Sequence, residues 1–283
     1  MLARRRSARG RRRPRLMAAC LHAAAQECLR AATPEDKVAL TFDAFERFSR
    51  GELAPGDTAP PEPIAMPGRP ACPRLVHARD LPRRGFGTPE GLAAFVHAIA
   101  HIEFNAIDLA WDAVYRFRGM PAGFYADWAS VANDEARHFT MLRGRLQSLG
   151  HDYGDFDAHN GLWEMAQKTG HDGLARMALV PRVLEARGLD VTPGMIVKLR
   201  QRGDGATADI LDVILREEVG HVAAGSRWFR WHCAQRGLEP QATFKALLAE
   251  YARAVLYGPF NREARLEAGF DAEELASLDA LAN

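Results

Sequence analysis

Glu135-Ala136-Arg137-His138 and Glu218-Val219-Gly220-His221 are the stretches whose reading decides the fold of this chain. On a helix, residues three apart project from one face, so each stretch offers a carboxylate and an imidazole to a single point. A lone glutamate precedes each: Glu103 lies 32 residues before Glu135, and Glu185 lies 33 before Glu218. One such motif arises by chance in roughly every second chain of this length, so the argument rests on the matched pair. The spacing has a geometric reason. A chain that climbs one helix, turns and returns to the same height on its partner uses thirty-odd residues at about 1.5 Å each.

The flanking residues strengthen the reading. Around Glu103 the helical stripe is Phe95, Val96, Ile99, Ala100, Ala106, Ile107, Ala110, Trp111 and Val114. Glu135 and His138 sit among Trp128, Val131, Ala132, Phe139, Leu142 and Leu146, and Glu218 and His221 among Ile210, Leu211, Ile214, Leu215, Val222 and Trp228. A carboxylate in an apolar stripe is costly to bury unless a cation or hydrogen bond meets it. A glutamate from each of two helices plus Glu-x-x-His from each of two others is the ligand set of di-iron and di-manganese four-helix bundles. We therefore expect an all-α four-helix bundle holding two ions, with Glu103, Glu135, His138, Glu185, Glu218 and His221 as ligands. Iron is favoured and manganese is possible, because the donors are rich in oxygen with only two imidazoles. Glu185 is the least certain ligand from its surroundings, because Pro181 one turn earlier removes a backbone hydrogen bond and kinks the segment. An exposed Arg182–Glu185 pair is the alternative there, while Glu164 comes too early for the repeat.

We place core helices at about 89–118, 122–149, 161–188 and 205–236, with Thr88-Pro89-Glu90 as a helix start and Gly119–Ala122 as a tight turn. A smaller helix is expected from Thr192 to about Gln201. Leu149–Asn160 reads as a longer crossover. Before the bundle (89–236), residues 17–88 comprise two helices, Met17–Ala31 and Thr33–Arg50, and an extended connector. Residues 51–89 hold nine of the sixteen prolines. After it, residues 237–283 form a helical extension, with a fifth helix from Pro240 to about Leu256 and Asp271 with Glu274 capping a last short helix. No period-two strand stands out.

Formal charge is +1, but residues 1–16 carry eight arginines and no acid, leaving the remainder at about −7. A mildly acidic body argues against nucleic-acid binding except through that tail. The tail reads as a nucleic-acid arm, a targeting segment or a mis-assigned start, with Met17 as the favoured true start. No stretch resembles a secretory signal or reaches the length of a membrane span, and four cysteines without paired spacing indicate a cytoplasmic protein with free thiols. His97 and His101, four apart, project away from the Glu103 stripe and read as outer or surface side chains; His232 reads as a satisfied core histidine. No phosphate loop, Ser-His-Asp set or nucleotide fingerprint appears.

Asp134-Glu135-Ala136-Arg137-His138 resembles the Asp-Glu-x-Arg-His signature of di-iron oxygenases and ferritin-like proteins. The resemblance implies that Asp134 and Arg137 support the ligands from behind, and Glu217 occupies the corresponding place in the second motif, which lacks the arginine. His101-Ile102-Glu103-Phe104-Asn105-Ala106-Ile107-Asp108-Leu109-Ala110 looks like an uncharacterised bacterial ferritin-like family, domain of unknown function 455. So do Leu179-Val180-Pro181-Arg182-Val183-Leu184-Glu185-Ala186-Arg187-Gly188-Leu189-Asp190 and Gly258-Pro259-Phe260-Asn261. The likeness to di-metal proteins implies that Glu135 and Glu218 bridge both ions, while Glu103 with His138 and Glu185 with His221 are terminal ligands. The family name itself supplies no reaction; the expected di-metal site leads us to expect an O2- or peroxide-dependent oxidoreductase, similar to hydroxylases and monooxygenases, acting on a small molecule, and a homodimer is possible. Trp111, Trp128, Phe139 and Trp228 are candidates to line a substrate pocket, but bundle core is the favoured role of each. A bacterial tRNA hydroxylase has the same ligand order, but the acidic body speaks against tRNA. Ferroxidase or iron storage, and a non-redox binding protein, are the competing functions; the long additions on both sides of the bundle argue against a storage cage.

Overall fold

The computed structural model describes residues 19–56, 59–82, 85–251 and 257–282. The basic tail at residues 1–16 and its favoured start at Met17 lie outside the described residues, as does the expected end of the fifth helix at Leu256. Among the described residues the protein is all-α, as its periodicity requires, apart from a two-residue parallel ladder. In it β1 (Ala19–Cys20) pairs with β2 (Leu53–Ala54).

Helices α1 (Leu21–Arg30) and α2 (Pro34–Ser49) form the N-terminal pair. The first begins at Leu21 rather than earlier, because Ala19 and Cys20 are taken up by the ladder. Thr33 caps α2, its hydroxyl accepting from the Asp36 amide at 3.1 Å. Helix α3 (Pro89–Arg116) starts as its sequence predicts, with Thr88 Oγ1 accepting from the Gly91 amide at 3.0 Å. Gly119, at φ 70°, permits the tight turn into α4 (Ala122–Ser148), and α3 and α4 make an antiparallel hairpin. By length and composition α3 could cross a membrane, but 72% of its apolar window is buried inside the molecule.

The third core segment departs from expectation. It is not one helix over 161–188 followed by a separate short one. Instead α5 (Gly161–Lys168) ends, and Asp172 caps α6 (Gly173–Leu179) by accepting from the Leu174 amide at 2.9 Å. A π-helical turn, Val180–Glu185, follows, and α7 (Ala186–Gln201) then runs on through Gly188 and Pro193. The wide turn has a local cause. Pro181 has no N–H to give the Met177 carbonyl, and its ring needs room. That room comes from α8 (Gly205–Arg236), where any side chain at Gly225 would collide with the Pro181 ring. Gly237 ends α8 at φ 63°, the left-handed conformation that closes many helices.

Helices α9 (Pro240–Tyr251), α10 (Arg262–Glu267) and α11 (Ala272–Ala282) complete the described chain. The Asp271–Glu274 capping box forms: Asp271 Oδ1 accepts from the Glu274 amide at 2.8 Å, and Glu274 Oε2 from the Asp271 amide at 3.0 Å. α1 packs on α3, α2 on α4, and α8 on α4, α6 and α7.

Candidate metal centre

Each expected ligand sits where two or more helices meet. Glu103 comes from α3, Glu135 and His138 from α4, and Glu218 and His221 from α8; all are buried. Glu185 is the last residue of the π-helical turn. The structure brings all six acidic and imidazole residues to one region. Ligand atoms of Glu103, Glu135, His138 and Glu218 lie within 4.8 Å of one another. His138 Nδ1 is 3.1 Å from Glu103 Oε2 and 3.4 Å from Glu135 Oε2, while His221 Nδ1 is 3.0 Å from Glu135 Oε1 and 3.4 Å from Glu218 Oε1. Glu135 therefore stands between the two imidazoles, whose ring centres are 5.8 Å apart.

These contacts are close but leave much unmet. Both oxygens of Glu135, Oε2 of Glu185, Oε2 of Glu218 and Nδ1 of His221 are buried without a hydrogen-bond partner. His221 Nδ1 approaches Glu135 without the alignment a hydrogen bond needs. Orphaned buried carboxylate oxygens are rare, because each loses its water without compensation. Inside the cluster His138 Nδ1 and Glu103 Oε2 are hydrogen-bonded at 3.1 Å, while the atoms left unpaired beside them are donors that could hold a metal ion.

The electrostatics point the same way. Burial, reinforced by the charge of Glu135, pushes the Glu103 carboxyl well above the usual range, and burial with Glu135 raises Glu218 too. Burial, then the charges of Glu218 and Glu135, raise Glu185 to about 8. Glu135 goes the other way: burial would raise it, but the flanking imidazoles outweigh that and hold it low. Burial disfavours a charged His138, yet Glu103 and Glu135 lift it to about 11. Repelling carboxylates thus hold protons that a divalent cation would displace.

Behind the imidazoles lies a crossed support. Glu217 Oε2 is 2.6 Å from His138 Nε2, and Asp134 Oδ2 is 3.4 Å from His221 Nε2. The acid preceding each motif's glutamate therefore faces the histidine of the other motif. Arg137 ties the two acids together, donating to Asp134 Oδ1 at 2.8 Å and to Glu217 at 2.9 and 3.2 Å. The arginine missing from the second motif is not needed, because the first serves both.

Two sequence expectations change here, for His97 with His101 and for His232, and two alternatives are set aside, the Arg182–Glu185 pair and pocket-lining aromatic rings. Arg182 makes no surface pair with Glu185; it is buried against Glu274 of α11 at 2.6 Å and enclosed by Phe229, Phe244 and Phe270. His97 and His101 are buried rather than superficial. They fasten the 149–160 crossover, His97 Nε2 accepting from the Gly154 amide at 3.0 Å and His101 meeting the Tyr153 hydroxyl at 2.9 Å. His232 is buried as expected but not satisfied, since its Nε2 has no partner. Trp111, Trp128, Phe139 and Trp228 line no cavity at the site. Trp111 donates to Thr41 and Trp228 to Asp127, while Trp128 packs on Phe124 and Phe139 on Phe104. The cavity that does adjoin the carboxylates, about 150 Å³, touches Glu103, Glu135, Glu185 and Glu218 and is otherwise walled mainly by aliphatic groups of α3, α7 and α8. Sequence reasoning missed those walls and the pairing of Arg182 with Glu274, which it read only as a helix cap. The walls look like ordinary core, and nothing local joins Arg182 to an acid 92 residues away.

Residues 30–276 match the family model described as "Protein of unknown function (DUF455)". An "Uncharacterized protein" of Haemophilus influenzae is 45% identical over 267 residues, covering 88% of this chain and 90% of that protein. No solved structure matches.

Proposed function

This chain belongs to the DUF455 family, and from that premise we propose that it is a ferritin-like di-metal carboxylate protein, an oxidoreductase using O2 or peroxide on a small organic substrate in the cytoplasm. The observation that carries the proposal is the convergence of buried, partnerless carboxylate and imidazole atoms beside an apolar cavity. Glu103 and His138 would hold one ion, Glu185 and His221 the other, with Glu135 and Glu218 shared. Bound iron would supply the oxidising chemistry with O2, two electrons coming from an external reductant.

The chain's own residues supply the rest. Glu217 and Asp134 fix both imidazoles with Nδ1 facing inward, and Arg137 fixes those acids in turn. Glu103, Glu185 and Glu218 hold protons that bound cations would displace. Mainly aliphatic side chains line the space over the carboxylates' open side. Four free cysteines agree with a reducing compartment.

The test is to load the protein with Fe(II) without oxygen and then admit air. We expect Fe(II) to be consumed with growth of near-ultraviolet charge-transfer absorption, and Glu135→Ala to lose both. Protein that binds Fe(II) but leaves it ferrous and colourless in air would contradict the oxidoreductase.

A further inference from the structure

We infer that the cavity over the carboxylates is a binding pocket for a compact apolar group of about six carbons, a single ring or short branched chain, on a molecule whose remainder stays outside. The inference rests on the metal-centre reading only for which end of the pocket is reactive. The floor is formed by Glu103, Glu135, Glu185 and Glu218, and the walls include Ile99, Ala106, Leu109, Val191, Leu211 and Ile214. The volume of about 150 Å³ matches the size at which an apolar cavity in another protein stays dry and takes up benzene.

The walls also say what is refused. Apart from the carboxylates, the polar side chains that touch the cavity are Arg187 and Thr192. Arg187 is 38% exposed and already donates to the Tyr257 carbonyl at 2.8 Å. A sugar hydroxyl or nucleobase edge held against these walls would therefore lose its water without gaining partners. No aromatic ring stands on the wall for a base to stack upon. Ile102, 46% exposed on α3, and the partly exposed Arg187 on α7 mark the side where the pocket reaches solvent. Small residues create the space: Ala106 lies one turn beyond Glu103, and Gly188 one turn beyond Glu185. An apolar group seated here ends beside the open edges of the carboxylates.

The experiment uses the metal-loaded full chain and two fluorinated rings of similar size, fluorobenzene and 5-fluorouracil, followed by ¹⁹F NMR, with metal content measured on every sample. Two variants fill the pocket without touching a carboxylate: Ala106→Leu deep in it and Val191→Trp on the α7 wall. We expect fluorobenzene to bind saturably at millimolar concentration and 5-fluorouracil not to bind. Each variant should weaken fluorobenzene about tenfold or more while metal content stays unchanged. Absence of fluorobenzene binding in metal-replete protein overturns the pocket and leaves the metal centre standing. So does equal binding of both rings, or undiminished binding in both variants. Protein that takes up no metal on loading, yet binds fluorobenzene with both variants blocking it, overturns the metal centre and upholds the pocket.

Discussion

Glu217 and Glu218 are neighbours on α8, yet their side chains leave the helix about 100° apart and face different tasks. Glu218 turns inward to the carboxylate cluster, and Glu217 reaches the outer nitrogen of His138 and the guanidinium of Arg137. Substituting each in turn separates direct ligation from support. Glu218→Ala is expected to lose at least one ion per chain, because on the proposed reading it removes a shared ligand. Glu217→Ala should keep near-normal metal content at saturation while weakening affinity by roughly 10- to 100-fold. Equilibrium dialysis with metal analysis reads both, and the reverse pattern would mean that α8 turns the other way. At this scale the sequence was informative, since three-residue spacing on a helix fixes which side chains share a face. The crossed support was not legible, because Asp134 and Glu217 each face a histidine on the other helix, about 80 residues away.

Among the elements, the π-helical turn is the part that the rest of the fold must hold. It presents Glu185, and it is pinned by Arg182, whose guanidinium lies 4.1 to 4.7 Å from three phenylalanine ring centres and pairs with Glu274. Both partners are almost wholly buried, so Glu274→Gln would strand a charge inside the protein. Removing one partner of a buried pair costs about 3–5 kcal/mol. We expect a matching loss in denaturant unfolding together with weakened metal binding, since Glu185 loses its anchor. Arg262→Ala is the control. It breaks the exposed Arg262–Asp279 pair between α10 and α11, worth about 1 kcal/mol or less. Equal effects from the two substitutions would show that the clamp adds nothing special. Periodicity predicted α3, α4 and α8 closely because long amphipathic helices with capping residues announce themselves. It misread the third segment because Pro181 suggested a kink without revealing the wide turn. Nor did the glycine at 188 reveal that tertiary packing carries α7 through it.

Across the whole molecule, four helical layers surround a cluster of acids that the apolar core cannot solvate. The account requires cations there. Any ion that binds only the folded state stabilises it in proportion to RT ln(1 + [L]/Kd), about 2.7 kcal/mol at a hundredfold excess over Kd. The all-α architecture was legible from the sequence, whereas the pocket was not, because aliphatic walls of a cavity and of a packed core carry the same pattern. The most direct measurement is elemental analysis of the full chain after iron-replete expression, repeated after chelation and re-addition of Fe(II) or Mn(II), with the melting temperature followed alongside. The account predicts about two transition-metal ions per chain, a lower melting temperature when they are stripped, and recovery when they return. Folded protein that holds no metal, with all six residues intact and a melting temperature indifferent to chelator and ions, would contradict it.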